Sequence, residues 1–230
     1  MTRPDSKRRT IRSFVRRTGR ITPAQALALK ELWPRYGLEY SKAVLNLDQV
    51  FGRAAPRVLE IGFGNGETLL REAAENPESD YIGVEVHEPG IGHCLINASR
   101  AKLTNLRVIR HDAIEVLEHQ VEDEALSRVI LLFPDPWPKK RHHKRRIVQA
   151  EFLHLVATKL AVGGTMFIAT DWENYADYID DLVAASPDFT IAERYIHSGS
   201  HDSLDREQTK FERRGLREGH RIRDWRLVRI

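Results

Sequence analysis

From Arg57 onward, short runs of branched apolar residues alternate with longer amphipathic stretches, and few folds accommodate that alternation. Strand-length runs fall at 57–61, 81–86, 106–110, 129–133, 165–169, 189–194 and about 224–228. Helical patterns lie between them, at 67–75, 89–102, 113–118, 144–160 and 173–185. In the fourth of these, Ile147, Val148, Phe152, Leu155, Val156 and Leu160 share one stripe, with Gly163 and Gly164 just past its end. The succession predicts an α/β fold, a mostly parallel seven-stranded sheet with helices on both faces. Ligands of such sheets bind outside the carboxyl ends of the strands, so the residues that close each strand are the first site candidates.

The first strand closes on Glu60-Ile61-Gly62-Phe63-Gly64-Asn65-Gly66-Glu67, directly before a helix. Glycines there permit a tight turn and close approach of a ligand to the backbone, although dinucleotide folds and unrelated turns share the pattern. Glu85 closes the second strand roughly twenty residues later, suited to hydrogen-bond both hydroxyls of a ribose. Glu60 and Glu67 border the glycines, and a carboxylate-lined helix start suits a cation better than a pyrophosphate. S-adenosylmethionine, with its sulfonium and ammonium, fits that sign better than NAD. Asp112, after the third strand, can accept from an adenine amino group or cap the following helix.

The fourth strand runs into Phe133-Pro134-Asp135-Pro136-Trp137-Pro138, followed by Lys139-Lys140-Arg141-His142-His143-Lys144-Arg145-Arg146. Alternating prolines fix φ and remove donors, so Asp135 and Trp137 are held on a stiff loop. A carboxylate and an indole beside dense cations suit a base held in a pocket while its phosphates are gripped outside. The competing reading is a turn leading into solvated helical turns. Trp137 can stack on an extruded base or pack as a lid. Asp171, closing the fifth strand, can meet a base edge or cap the helix beginning near Glu173.

Net charge is only +3 with pI ≈ 9.0, but the cations gather at the start, in the run from Lys139 and from Arg213 to Arg226. Residues 1–21 carry eight Arg or Lys against Asp5 and read as a flexible basic arm. A single domain then spans 22–230, entered by a helix that Thr22 caps and Pro23 opens, with Leu27, Leu29, Leu32 and Trp33 as its apolar content, ending near 33–36. No apolar run has membrane length and no secretory leader pattern is present, so a cytoplasmic protein is expected. Cys94 is the sole cysteine, which excludes an internal disulfide and a thiolate zinc cluster, and no disulfide-linked partner or membrane association is expected.

Leu59 to Gly66, Gly83-Val84-Glu85-Val86-His87, Phe133-Pro134-Asp135-Pro136-Trp137, Lys144-Arg145-Arg146, Ala169-Thr170-Asp171-Trp172 and Thr209-Lys210-Phe211-Glu212 together resemble the bacterial tRNA (guanine-N7-)-methyltransferase family. The resemblance runs from about Arg57 to the C-terminus. Its first motif is widespread among methyltransferases, whereas Pro-Asp-Pro-Trp and Thr-Lys-Phe-Glu are far more discriminating. It implies a Rossmann-like methyltransferase fold with an antiparallel C-terminal strand, and S-adenosylmethionine as cofactor held by Glu60, Gly62, Gly64, Glu85, Asp112 and Asp135. It further implies Asp135 as catalytic residue, no metal, and substrate contacts from Lys139, Asp171, Thr209, Lys210, Phe211 and Glu212. RNA contacts would come from Arg141, His142, His143, Lys144, Arg145 and Arg146. The implied product is N7-methylguanosine in the variable loop of tRNA, made by a monomer or homodimer.

Guanine N7 carries an in-plane lone pair and no proton, so positioning matters more than acid–base work. Asp135 could accept from the guanine N1–H and amine or orient the donor's methionine end. Three rival readings remain open: a methyltransferase for another RNA or a small molecule, a non-catalytic RNA-binding module with a vestigial cofactor site, and an NAD-dependent oxidoreductase. The acids around the glycines disfavour the last two.

Overall fold

The computed structural model describes residues 12–14, 19–199 and 208–230; most of the basic arm expected over 1–21 lies outside them. Strands β1 (Gly37–Leu38), β2 (Arg57–Ile61), β3 (Asp80–Val84), β4 (Leu106–Ile109), β5 (Leu126–Leu132), β6 (Leu160–Thr170), β7 (Phe189–His197) and β8 (Ile222–Arg229) form one sheet in the order β1-β4-β3-β2-β5-β6-β8-β7. Neighbours from β1 to β6 pair in parallel, and β8 runs antiparallel between β6 and β7. The sheet is thus mostly parallel with an antiparallel C-terminal strand, as the sequence predicts. The eighth strand, β1, pairs with β4 through only two residues and is too short to leave a periodic signal.

The helices are α1 (Pro23–Glu31), α2 (Trp33–Tyr36), α3 (Leu47–Phe51), α4 (Glu67–Glu75), α5 (Glu88–Arg100), α6 (Ala113–His119), α7 (Ala150–Lys159), α8 (Glu173–Ala184) and α9 (Lys210–Arg217). Central strands β2 and β3 are buried along their whole length, because layers cover both faces of the sheet. Successive residues point to opposite faces: Val58 joins Tyr81, Ile91, Leu95 and Ile130 in one core layer, and Leu59 joins Ile82, Val129, Met166 and Leu227 in the other. At the entrance to α1, Gln25 N donates to Thr22 Oγ1 (3.3 Å) and Thr22 N to Gln25 Oε1 (2.9 Å), with Pro23 in the first turn.

The helix expected over 144–160 is split. Lys140–Arg145 forms a 3-10 turn, Arg146 is extended (φ −58°, ψ 133°), and α7 starts only at Ala150. Arg146 explains the break. It is 3% exposed, its Nε donates to the Pro136 carbonyl (2.9 Å) and its Nη2 to Asn174 Oδ1 (2.8 Å). The guanidinium also lies over the Tyr175 ring at 4.6 Å and the Tyr178 ring at 5.4 Å. Two residues on, Val148 N donates to Tyr175 Oη (3.1 Å). Gly163 and Gly164, expected beyond a helix end, fall inside β6, which begins directly after α7.

Candidate active site

A cleft of about 350 Å³ opens outside the carboxyl ends of β2 to β5. Gly62 and Gly64 line it from the β2 turn, Glu85 and His87 from β3, His111 from β4, and Phe133, Pro134 and Asp135 from β5, with Phe211 of α9 and Ser13 and Phe14 of the N-terminal segment completing the wall. Gly62, Gly64 and Gly66 have φ of 70°, 57° and 80°, the left-handed conformation that lets the backbone turn into α4. At Gly66 the space is also closed, since a Cβ would fall 2.7 Å from Cys94 Sγ.

The acids at the strand ends differ in what they do. Glu85 Oε2 accepts from Gly64 N (2.8 Å), and its Oε1 accepts from Val86 N (2.6 Å) and His87 N (3.0 Å). It therefore shapes the glycine turn while facing the cleft, and a carboxylate so engaged retains lone pairs for hydroxyl donors. Asp112 caps α6 by accepting from Ile114 N (3.1 Å), and burial, with Glu115 adding, raises its pKa. Its neighbours His111 and Ala113 line the cleft, and the His111 ring stacks on Tyr40 at 3.5 Å.

Glu60 is the most perturbed. It is 4% exposed, its Oε2 has no hydrogen-bond partner, and burial, with Glu72 and Glu85 adding, pushes its pKa up to about 8. A cation delivered beside it would supply the missing partner, so this turn fits the ammonium of S-adenosylmethionine. A carboxyl raised above its ordinary value of 4.5 gives its full contribution to stability below that pH and loses it as pH rises towards about 8. Glu60→Gln should therefore flatten the decline in stability of the ligand-free protein across this window and weaken the cofactor. Thermal melts from pH 4 to pH 9 check the first effect, and parallel pH profiles for variant and parent would refute it.

Asp135 is exposed at the cleft mouth. The loop that holds it is strained: Phe133 and Trp137 sit at φ 50° and 48°, where large L side chains cost about 1–3 kcal/mol each. Phe133 N is anchored by donation to the Ala169 carbonyl (2.8 Å). Trp137 is packed, its Nε1 donating to the Ser13 carbonyl (3.1 Å) and its face covered by the Arg145 guanidinium at 4.0 Å. Arg145 in turn donates to the Arg12 carbonyl (3.2 Å), so the lid reading of Trp137 fits better than base stacking. Lys139, Arg141 and Lys144 are exposed, His142 and His143 partly covered, and Arg146 is committed to the interior.

Thr209 and Glu212 have a structural task. Glu212 N donates to Thr209 Oγ1 (3.1 Å) and Thr209 N to Glu212 Oε2 (3.3 Å), a capping box that starts α9. Glu212 is 0% exposed and lies 3.6 Å from His197 Nε2; of the four-residue motif Phe211, at 60% exposure, lines the cleft, while Lys210 is on the surface. Asp171 does not line this cleft; it lies 3.1 Å from His220 Nδ1 and is packed beneath Gly215, where a Cβ would come within 2.7 Å of its Oδ2. Sequence reasoning missed α9 because it has no apolar stripe; the Thr-x-x-Glu cap was its signal. It also missed Ser13, Phe14 and His111, which the topology brings to the cleft from distant segments.

The family model described as "Putative methyltransferase" matches residues 54–225. The tRNA (guanine-N(7)-)-methyltransferase of Alkalilimnicola ehrlichii is 53% identical over 221 residues, covering 94% of this chain and 92% of that protein. Its counterpart in Halorhodospira halophila is 51% identical over 222 residues, covering 95% of both. The chain belongs to the tRNA (guanine-N(7)-)-methyltransferase family. Among solved structures, TrmN from Thermus thermophilus superimposes with a TM-score of 0.55 at 20% identity, covering 80% of this chain and 47% of that one. The 16S rRNA (adenine(1408)-N(1))-methyltransferase of Catenulisporales acidiphilia, solved in a mutant form with its cosubstrate S-adenosylmethionine, gives 0.53 at 16% identity, covering 79% and 89%. At those identities the likeness is one of fold, the Rossmann-like methyltransferase architecture. Within it, this member of the tRNA (guanine-N(7)-)-methyltransferase family has its glycine turn and Glu85 on the wall of the cleft outside β2 and β3.

Proposed function

We infer that the protein transfers the methyl group of S-adenosylmethionine to N7 of a guanine in tRNA, that this guanine lies in the variable loop, and that the protein acts in the cytoplasm. What carries the reading is one cleft that joins the glycine turn and Glu85 to an exposed Asp135 beside a cationic run, with the buried, unpartnered Glu60 oxygen one residue before the lining Ile61. When bound, S-adenosylmethionine supplies an already activated methyl group on a sulfonium. The chain's own residues bind and orient. Glu60 would balance the ammonium, Glu85 and the glycine turn would hold the ribose, and the walls around His111 and Asp112 would hold the adenine. No proton has to leave guanine N7, so Asp135 acts by position and charge: it can accept from the guanine N1–H and amine, and its carboxylate offsets positive charge developing on the ring. Phe14 and Phe211 border the same cleft and add apolar surface to its wall.

Lys139, Arg141, Lys144 and Arg145 are the cations suited to tRNA phosphates; Arg146 leaves that set because it is buried. Mass spectrometry of nucleosides from tRNA incubated with protein and donor tests the reaction, with N7-methylguanosine expected and an unmodified digest refuting it. Alanine at Lys139, Arg141 or Lys144 should each lower the slope of log affinity against log salt by about 0.7 to 0.9, with donor affinity unchanged in calorimetry. Unaltered slopes in all three would move the RNA elsewhere on the surface.

A further inference from the structure

A second cleft, of about 420 Å³, is lined by Trp172, Ile196 and His220, with Asp171, Glu173 and Arg221 beside them. The methyl-transfer reaction as derived above makes no use of it. We propose that this cleft receives a nucleotide of the tRNA that neighbours the target guanine, its base unstacked and held by an amino-bearing edge against Asp171. The proposal rests on tRNA being the substrate.

Position is the first argument. β5 and β6 are adjacent and parallel, so the Asp135 loop and the Asp171 turn leave the same end of the sheet side by side. Helix α9 connects the two clefts: Phe211 stands 4.0 Å from where a Gly64 Cβ would be, and Gly215 lies against Asp171. A strand crossing α9 therefore meets both.

Chemistry is the second. Trp172 and His220 meet edge to face at 6.3 Å, and Ile196 is 47% exposed beside them, giving apolar walls of the kind that hold splayed RNA bases. The charged groups of the cleft are already engaged: Asp171 lies 3.1 Å from His220 Nδ1, Glu173 pairs with Arg221 (2.6 Å), and Arg223 pairs with Asp177 (2.9 Å) and Asp180 (2.8 Å), so no cation is left over for an anion. Such a site suits an uncharged base rather than a phosphate. A carboxylate is an acceptor only, so it favours a base edge carrying N–H donors, and guanine offers two in parallel. The phosphates find their partners on α9. Lys210 and Arg217 are exposed with no ion-pair partner among the described residues, and Arg213 and Arg214 pair only with the surface acids Glu67 (3.4 Å) and Glu218 (2.8 Å).

The test compares two substitutions on the same edge strand. Ile196→Glu puts a carboxylate into the cleft; Ile191→Glu, at a residue 41% exposed and outside the cleft, changes net charge equally. With full-length protein, Ile196→Glu should weaken tRNA binding by at least about tenfold and leave donor affinity and melting temperature unchanged, while Ile191→Glu stays within about twofold of the parent. Equal losses in the two variants, or normal tRNA affinity in Ile196→Glu, would overturn the proposal. A parent protein that neither binds nor methylates tRNA would instead overturn the substrate reading on which it rests.

Discussion

Asp135→Ala should lower turnover by at least about 100-fold, the scale seen when a positioning or charge-stabilising group is lost, without changing the thermal transition. The carboxylate is exposed on a loop and supports no core contact, so its removal costs the fold little. Its surroundings are the costly part: Phe133 and Trp137 are held in left-handed conformations on either side, and such strain persists where the conformation itself is used. Initial rates at saturating tRNA and donor, with melting curves in parallel, check this. Normal turnover in a normally folded variant would remove Asp135 from the site. Asp135→Asn separates the two contributions, since the amide keeps an acceptor and loses the charge.

Arg146→Ala should have the largest effect on stability, roughly 2–4 kcal/mol. The substitution deletes two hydrogen bonds from a buried charged donor, uncovers the Tyr175 and Tyr178 rings and leaves the Pro136 carbonyl without its partner. For a chain of this size, that corresponds to a fall in melting temperature of about 4–16 °C. Arg146→Lys should rescue little, because an ammonium can neither stack flat on the rings nor reach both acceptors. Lys144→Ala, two residues away and exposed, should melt like the parent. Scanning calorimetry decides it, and an unshifted Arg146→Ala transition would refute the structural role.

These two residues mark where the sequence was and was not legible. The parallel strands were readable because central strands covered on both faces are rich in apolar residues on both, as β2 is with Val58, Leu59 and Ile61 and β3 with Tyr81, Ile82 and Val84. Strand ends then pointed to Glu85 and Asp135, which line one cleft, and to Glu60, which is buried one residue before the lining Ile61. A run of cations carries no such periodicity: nothing in the string from Lys139 to Arg146 distinguishes the one guanidinium that turns inward, since its partners Asn174, Tyr175 and Tyr178 come from another helix. Glu212 presents the reverse case. Its spacing from Thr209 is a local helix-start signal, and the family resemblance drew attention to a substrate role instead. Asp171 lies at a strand end as expected, yet the packing of Gly215 against it turns it towards a different cleft.

Beneath the glycine turn, Cys94 is 0% exposed, and burial pushes its thiol up to about 12, with the charge of Glu60 adding to the shift. Alkylating and oxidising reagents act on accessible thiolates, so the chain's sole cysteine is chemically silent while the turn stays folded. The native sequence is consequently a ready background for reporter chemistry. A cysteine introduced at an exposed position such as Phe211 or Ile196 would be the single site to take a fluorophore or spin label, with no competing thiol to remove first.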